Sequence, residues 1–283
     1  MSDLESSRAV VVLGMHRSGT SATTRGLASL GVCLGDNLME ANCDNPKGYW
    51  ENNYIYSFNE RLLKSLNLTW DDPTFINKED FDKPELEPFK DEAISYLSNS
   101  LAKNSLWGFK DPRTIRLLPF WKNVLDRLSL KDTKYLIVIR NPVNVCNSLC
   151  IRNGMDPQKA YQLYLVHNVP FLHEISNSPF TVVDYDLLLE DPYYELFRIS
   201  KNLEIPFTDK AAIDEYTCTF LDVNLRHNFR QVDSNSADNT LALDSYLWLR
   251  ELARDRPRND SPLFWSTWQK IQSSLKGNKI NRN

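Results

Sequence analysis

Val10-Val11-Val12-Leu13-Gly14-Met15-His16-Arg17-Ser18-Gly19-Thr20-Ser21 is the stretch whose reading decides the fold of this chain. Four aliphatic residues in a row read as a short strand buried on both faces. A glycine-bounded turn follows, and Ser18, Thr20 and Ser21 stand where they can cap a helix that runs on through Leu27 and Leu30. Strand, glycine-rich turn and helix N-terminus together make an anion cradle, because free backbone N–H groups and the helix dipole converge on one point. The expected occupant carries phosphate or sulfate.

The spacing narrows the choice. A loop of the G-x-x-x-x-G-K-[ST] kind places lysine directly after its second glycine, whereas here Gly19 is followed by Thr20. The cation has moved to Arg17, with His16 beside it. R-S-G-T-S after a hydrophobic strand resembles the 5′-phosphosulfate loop of sulfotransferases. That resemblance implies 3′-phosphoadenosine 5′-phosphosulfate as donor, with Arg17, Ser18, Gly19, Thr20 and Ser21 around its 5′ end.

Outward from this stretch, strands are expected over 105–110, 135–140 and 180–183. Helices are expected over 92–101, 117–128, 157–175, 192–203 and 210–217, and one opens at Asn141-Pro142. Asn52 or Asn53 can cap another that carries Ile55, Phe58, Leu62, Leu63 and Leu66, while the charged, proline-containing residues 67–88 read as a surface loop. Strands alternating with helices predict an α/β fold of P-loop type, three layers with a central, mostly parallel sheet flanked by helices. Residues 234–283, after a polar break at 235–239, show no strand pattern and read as a helical C-terminal extension packed on the α/β domain of residues 1–233.

Composition limits the partners. A net charge of −4 over 283 residues gives no basic field, which argues against nucleic acid and requires any cations for an anionic ligand to be concentrated locally. Five cysteines, with no C-x-x-C pair, point to reduced thiols in a cytoplasmic protein, neither a disulfide frame nor a zinc site. Cys146 and Cys150, one helical turn apart, read as core-facing residues. No apolar run approaches the ~20 residues of a membrane span, and no signal peptide is visible, so membrane insertion is not expected.

Ligands of such sheets bind beyond the carboxyl ends of the strands, where Gly14, Lys110, Arg140 and Asp184 all fall. Arg140 ends the clearest buried strand and Ser148 lies about two turns into the next helix, a pairing that suits a phosphate monoester. In sulfotransferases an arginine and serine at this spacing resemble the site of the donor's 3′-phosphate. Lys110-Asp111-Pro112-Arg113 resembles the segment of tyrosylprotein and related bacterial sulfotransferases whose lysine assists the leaving group, with Asp111 holding the turn or orienting a cation.

Glu51 is the candidate general base, since a hydroxyl attacking sulfur needs a proton acceptor and G-Y-W-E resembles a segment of the bacterial enzymes; Tyr49 and Trp50 can wall the pocket. Arg226, in L-R-H, resembles a late segment that closes over the donor, whereas the R-K-G-x-x-G lid of the cytosolic enzymes is missing. His167 and His173 read as structural or surface residues. The catalytic set is therefore Glu51, Lys110, Arg17 and His16, with Arg140, Ser148 and Arg226 added to the loop for the donor. No metal is expected, because fixed cations take its place, and the partner is a sugar or small molecule bearing a hydroxyl. Two other readings stay open: a P-loop kinase with Asp184 (or Asp186) as metal ligand, and a nucleotide-binding protein without catalysis.

Overall fold

In a computed structural model of the chain, residues 4–43, 45–221, 237–256 and 260–277 are described. β1 (Arg8–Leu13), β2 (Leu106–Lys110), β3 (Asp132–Ile139) and β4 (Phe180–Asp184) form one parallel sheet in the order β2-β1-β3-β4. The register pairs Val12 with Lys110, Leu13 with Ile137, and Ile139 with Asp184. Parallel pairing brings Gly14, Lys110, Arg140 and Asp184 out along one edge of the sheet.

Around the sheet lie α1 (Thr20–Ser29), α2 (Asn53–Ser65), α3 (Glu87–Lys103), α4 (Leu118–Asp126), α5 (Pro142–Asn153), α6 (Pro157–Asn168), α7 (Tyr185–Glu190), α8 (Pro192–Asn202) and α9 (Lys210–Glu215). α10 (Ala237–Ala253) and α11 (Pro262–Gly277) follow. The alternation of β1 sorts the core into two layers. Val10 and Val12 pack with Leu27, Leu196, Ile199 and Ile213 from α1, α8 and α9. Ala9, Val11 and Leu13 pack on the other face with Phe58, Leu97, Phe120 and Leu163 from α2, α3, α4 and α6. Each fully buried valine or leucine contributes about 1.5–3 kcal/mol, so a charge on this strand would not be tolerated. This is the expected three-layer α/β architecture of P-loop type with a helical C-terminal segment.

Three expectations shift. The helix expected over 157–175 stops at Asn168, and a 3₁₀ turn at Leu172–Ile175 follows, because Pro170 has no N–H and restricts Val169. Residues 67–88 are more than a surface loop. They hold two 3₁₀ turns, Lys78–Asp82 and Pro84–Leu86, and bury Ile76, Phe81 and Leu86. Arg116, fully buried, ties this segment down by donating to the carbonyls of Asp72 (2.8 Å) and Thr74 (2.7 Å). α3 begins at Glu87, earlier than the apolar spacing indicates, because Pro88 suits a first helical turn.

α10 leans on the sheet: the Tyr246 hydroxyl donates to Asp184 (2.8 Å), and Arg250 pairs with the same carboxylate (2.9 Å). α11 buries Phe264 and Trp268 and sends Gln272 to the carbonyl of Pro170 (2.8 Å). The boundary at 233/234 and residues 235 and 236 lie outside the described residues, whereas 237–239, expected within a polar break, form the start of α10. All five cysteines are unpaired, with Cys146 in the core. Among the described residues no helix is long and apolar enough to cross a membrane.

Candidate active site

Glycine sets the shape of the cradle. A Cβ on Gly14 would lie 2.6 Å from the Val138 carbonyl, so the turn follows the neighbouring strand more closely than any other residue allows. Gly19 has φ 87°, and a Cβ there would run into the Tyr185 ring. It is Gly19 that stands at the N-cap of α1, with no side-chain cap hydrogen bond. The capping expected of Ser18, Thr20 and Ser21 is not found. The N-cap residue is a glycine, which has no side chain to accept from the first turn, so the N–H groups there are left without a side-chain cap.

Two cationic groups flank this turn. At the end of β3, Nη1 of Arg140 donates to the Arg17 carbonyl (3.1 Å), and the guanidinium lies 5.1 Å from the centre of the Tyr185 ring. Arg17, in the left-handed region at φ 67°, donates from Nε to Ser148 Oγ (2.8 Å). Sequence reasoning separated Arg17 from the Arg140–Ser148 pair, and the structure knits all three together. Because the Ser148 oxygen accepts from Arg17, its own proton is available to an anion. A cavity of about 270 Å³ opens here, lined by Arg17, Gly19, Thr20, Ser21, Lys47, Arg140, Tyr185 and Phe220 among others.

At the end of β2 the Lys110 ammonium lies 2.6 Å from Glu51 Oε1 and 3.2 Å from Ser21 Oγ. Glu51 reaches this point because Asn52 caps α2, accepting from the N–H groups of Tyr54 (3.0 Å) and Ile55 (3.4 Å). The Ser21 oxygen also accepts from Asn45 Nδ2 (3.2 Å), so its proton too is left for another acceptor. Lys110 and Glu51 are both buried, at 1% and 8% side-chain exposure, and removal of either leaves an uncompensated charge. Asp111 is structural: it accepts from the Arg113 N–H (2.9 Å) and Asn59 (3.0 Å) and pairs with the Arg113 guanidinium (2.9 Å). Burial pushes its carboxyl up to about 6, partly offset by Arg113.

Other candidates fall elsewhere. His16 turns away from the cavity toward Trp70, with ring centroids 4.7 Å apart, and His167, at 6.0 Å. Tyr49 does not wall the cavity but donates to Asn42 (2.6 Å), and Trp50 stands behind Phe220, its Nε1 donating to the Lys47 carbonyl (2.9 Å). Ser18 is buried inside the turn. Arg226 and His227 lie outside the described residues. Asp184 is engaged on both oxygens, by the Asp186 N–H (2.8 Å) on one and by Tyr246 and Arg250 on the other, which corrects the notion of a free metal-binding carboxylate at that strand end. Among the described residues no group of three or more potential metal ligands occurs.

Lys47, Tyr185 and Phe220 were missed as cavity residues. Lys47 sits in an N-P-K-G turn whose composition announces a loop but not its neighbour. Phe220 follows α9 in a π-helical turn, Tyr216–Phe220, with no motif around it.

A parallel sheet with a glycine-rich turn and a helix N-terminus without a side-chain cap at its carboxyl edge defines an α/β protein of P-loop type. The sequence matches the sulfotransferase family over residues 9–209, and the chain belongs to that family. No curated protein sequence matches it. The fold is similar to that of the sulfotransferase domain from the Synechococcus PCC 7002 olefin synthase, with a TM-score of 0.50 and 17% identity over 87% of this chain and 97% of that one. A sulfotransferase domain from the curacin biosynthetic pathway is also similar, with a TM-score of 0.45 and 16% identity over 95% of this chain and 98% of that one.

Proposed function

We propose that the protein moves a sulfuryl group from 3′-phosphoadenosine 5′-phosphosulfate to a hydroxyl of a sugar or small molecule, with Glu51 as base. The observation that carries this reading is that Arg17 and Arg140, at the two ends of the expected donor site, line one cavity beside an uncapped helix N-terminus. The N–H groups of α1 and the hydroxyls of Thr20 and Ser21 suit the 5′ end. Arg140 and Ser148 suit the 3′-phosphate, with Arg226 as a further donor contact. The aromatic faces of Tyr185 and Phe220 suit a base ring.

The donor supplies a sulfuryl group whose bond to the 5′-phosphate breaks as the acceptor oxygen bonds to sulfur. Glu51 takes the acceptor proton. Lys110, now beside both Glu51 and Ser21, is placed to pass its charge from the base to the oxygen of the departing phosphate. Arg17 holds the turn through Ser148, and His16 serves the acceptor side of the same loop. We place the enzyme in the cytoplasm and read α10 and α11 as part of the same unit as the α/β domain. The engagement of Asp184 by Tyr246 and Arg250 favours this reading over a kinase.

Thermal unfolding in EDTA tests it. 3′-Phosphoadenosine 5′-phosphate at a hundred times its Kd is expected to stabilise by about 2.7 kcal/mol, against a much smaller effect of ATP with Mg²⁺. The reverse ranking would favour the kinase, and strong nucleotide binding without transfer to any acceptor would favour the non-catalytic reading.

A further inference from the structure

Asn45-Pro46-Lys47-Gly48 has the composition of a tight turn, with asparagine first, proline second and glycine fourth. It closes as one: the Gly48 N–H donates to the Asn45 carbonyl (3.0 Å), and Gly48 takes φ 89°. The turn is fastened at both ends. Asn45 Nδ2 donates to Ser21 Oγ (3.2 Å), which holds its start on the first turn of α1. Lys47 Nζ donates to the Phe220 carbonyl and lies 5.2 Å from the centre of the Phe220 ring. Behind it, Trp50 Nε1 donates to the Lys47 carbonyl (2.9 Å), while Trp50 itself stands in the left-handed region at φ 56°. A bulky residue keeps that conformation only where its surroundings impose it. Among the described residues no carboxylate pairs with Lys47, so the Phe220 carbonyl is what directs its ammonium.

We infer that Lys47 is a positioning residue for the donor nucleotide: by clasping the Phe220 carbonyl it sets the Tyr216–Phe220 turn, and with it the Phe220 ring, as the cavity wall against which the nucleotide base packs. Lys47 and Phe220 line the same cavity as Arg17 and Arg140, and Phe220 is only partly buried there. The carbonyls that end a helical turn have no partner within it, and a lysine ammonium supplies one. A second cation, Arg25 of α1, pairs with Glu215 just before the turn. Its guanidinium lies 5.4 Å from the centre of the Trp50 ring and 5.5 Å from that of Phe220. Tyr216 fits against α1 at Gly26, where a Cβ would lie 2.9 Å from its Cζ, and stacks on Phe220 at 21°. Two routes therefore tie the aromatic wall to the glycine-rich turn, one along α1 and one through the Asn45–Gly48 turn. Only the second enters the cavity lining at the wall itself, and it ends at Lys47. This inference rests on the sulfuryl-transfer reading for the identity of the nucleotide but not for the clasp.

Hydrogen exchange read by mass spectrometry on the full chain without nucleotide tests the clasp. Lys47→Met is expected to speed exchange of the 216–221 amides about tenfold or more, whereas Lys47→Arg, which can make the same bond, should stay near wild type. Unchanged exchange in Lys47→Met overturns the inference. Calorimetry tests the consequence, with 3′-phosphoadenosine 5′-phosphate and with methyl riboside 3,5-bisphosphate, which lacks the base. The wild type should bind the base-bearing ligand about 10- to 100-fold more tightly. Lys47→Met should lose most of that preference and bind the baseless ligand as before, and Lys47→Arg should keep it. Lys47→Met combined with Phe220→Leu should be no weaker than Phe220→Leu alone, because the lysine acts through that ring. Equal weakening of both ligands by Lys47→Met would make the ammonium a phosphate contact and overturn the inference. A fully additive loss in the double variant, or no preference for the base in the wild type, would overturn it too. If the wild type binds neither ligand, the sulfuryl-transfer reading fails, and the exchange result decides the clasp by itself.

Discussion

At the scale of single residues, the buried Glu51–Lys110 pair joins stability to chemistry. Lys110→Met strands a carboxylate in the interior, with an expected cost of about 3–5 kcal/mol in chemical denaturation. Glu51→Gln keeps shape and a hydrogen-bonding oxygen, so nucleotide affinity by calorimetry should hold while turnover falls about 10²–10⁴-fold. Normal turnover in that variant would rule Glu51 out as base. Asp111 makes a pH prediction. Its folded pKa, about 6, exceeds the ordinary 3.8, so the folded state favours the protonated form. The stability this contributes is fully present below 3.8 and lost as pH rises through about 6. Urea unfolding from pH 3.5 to 7 should show that slope in the wild type and its loss in Asp111→Asn. That Glu51, Lys110 and Arg140 stand at the carboxyl edge of the sheet was legible in sequence because each ends or borders a recognisable element. Tyr185 and Phe220 were not, since an aromatic residue after a strand or helix carries no signal of which cavity it faces.

At the scale of elements, the turn between β1 and α1 depends on glycine twice. Gly19→Ala meets both a left-handed φ and the Tyr185 ring, and is expected to destabilise by about 1–3 kcal/mol and to abolish tight nucleotide binding. Near-native affinity in that variant would contradict the cradle. The strands were legible to within three residues at each end, because a run such as Val10-Val11-Val12-Leu13 has no alternative to burial on both faces. The cap of α1 was misread for a physical reason: hydroxyls near a helix start usually serve the backbone, and here Ser21 serves Lys110 and Asn45 instead. The segment 67–88 was misread because its charges pair with residues distant in sequence, Asp71 with Lys159 and Lys78 with Glu174, while Ile76, Phe81 and Leu86 turn inward. Composition reports the charges and not their partners.

At the scale of the molecule, a net charge of −4 coexists with a cationic edge of the sheet. Parallel topology does this by delivering Gly14, Lys110 and Arg140 to one side from points far apart in sequence. The α10 helix backs that edge through Tyr246 and Arg250 on Asp184. In the proposed reading, Arg17 with its turn and Arg140 with Ser148 grip the two ends of one nucleotide. Calorimetry of 3′-phosphoadenosine 5′-phosphate and of adenosine 5′-phosphate, on wild type and Arg140→Gln, tests it most directly. The wild type should prefer the doubly phosphorylated nucleotide by about 10- to 100-fold, and Arg140→Gln should erase that preference while binding adenosine 5′-phosphate almost as before. Equal weakening of both ligands, or no preference in the wild type, would contradict the account.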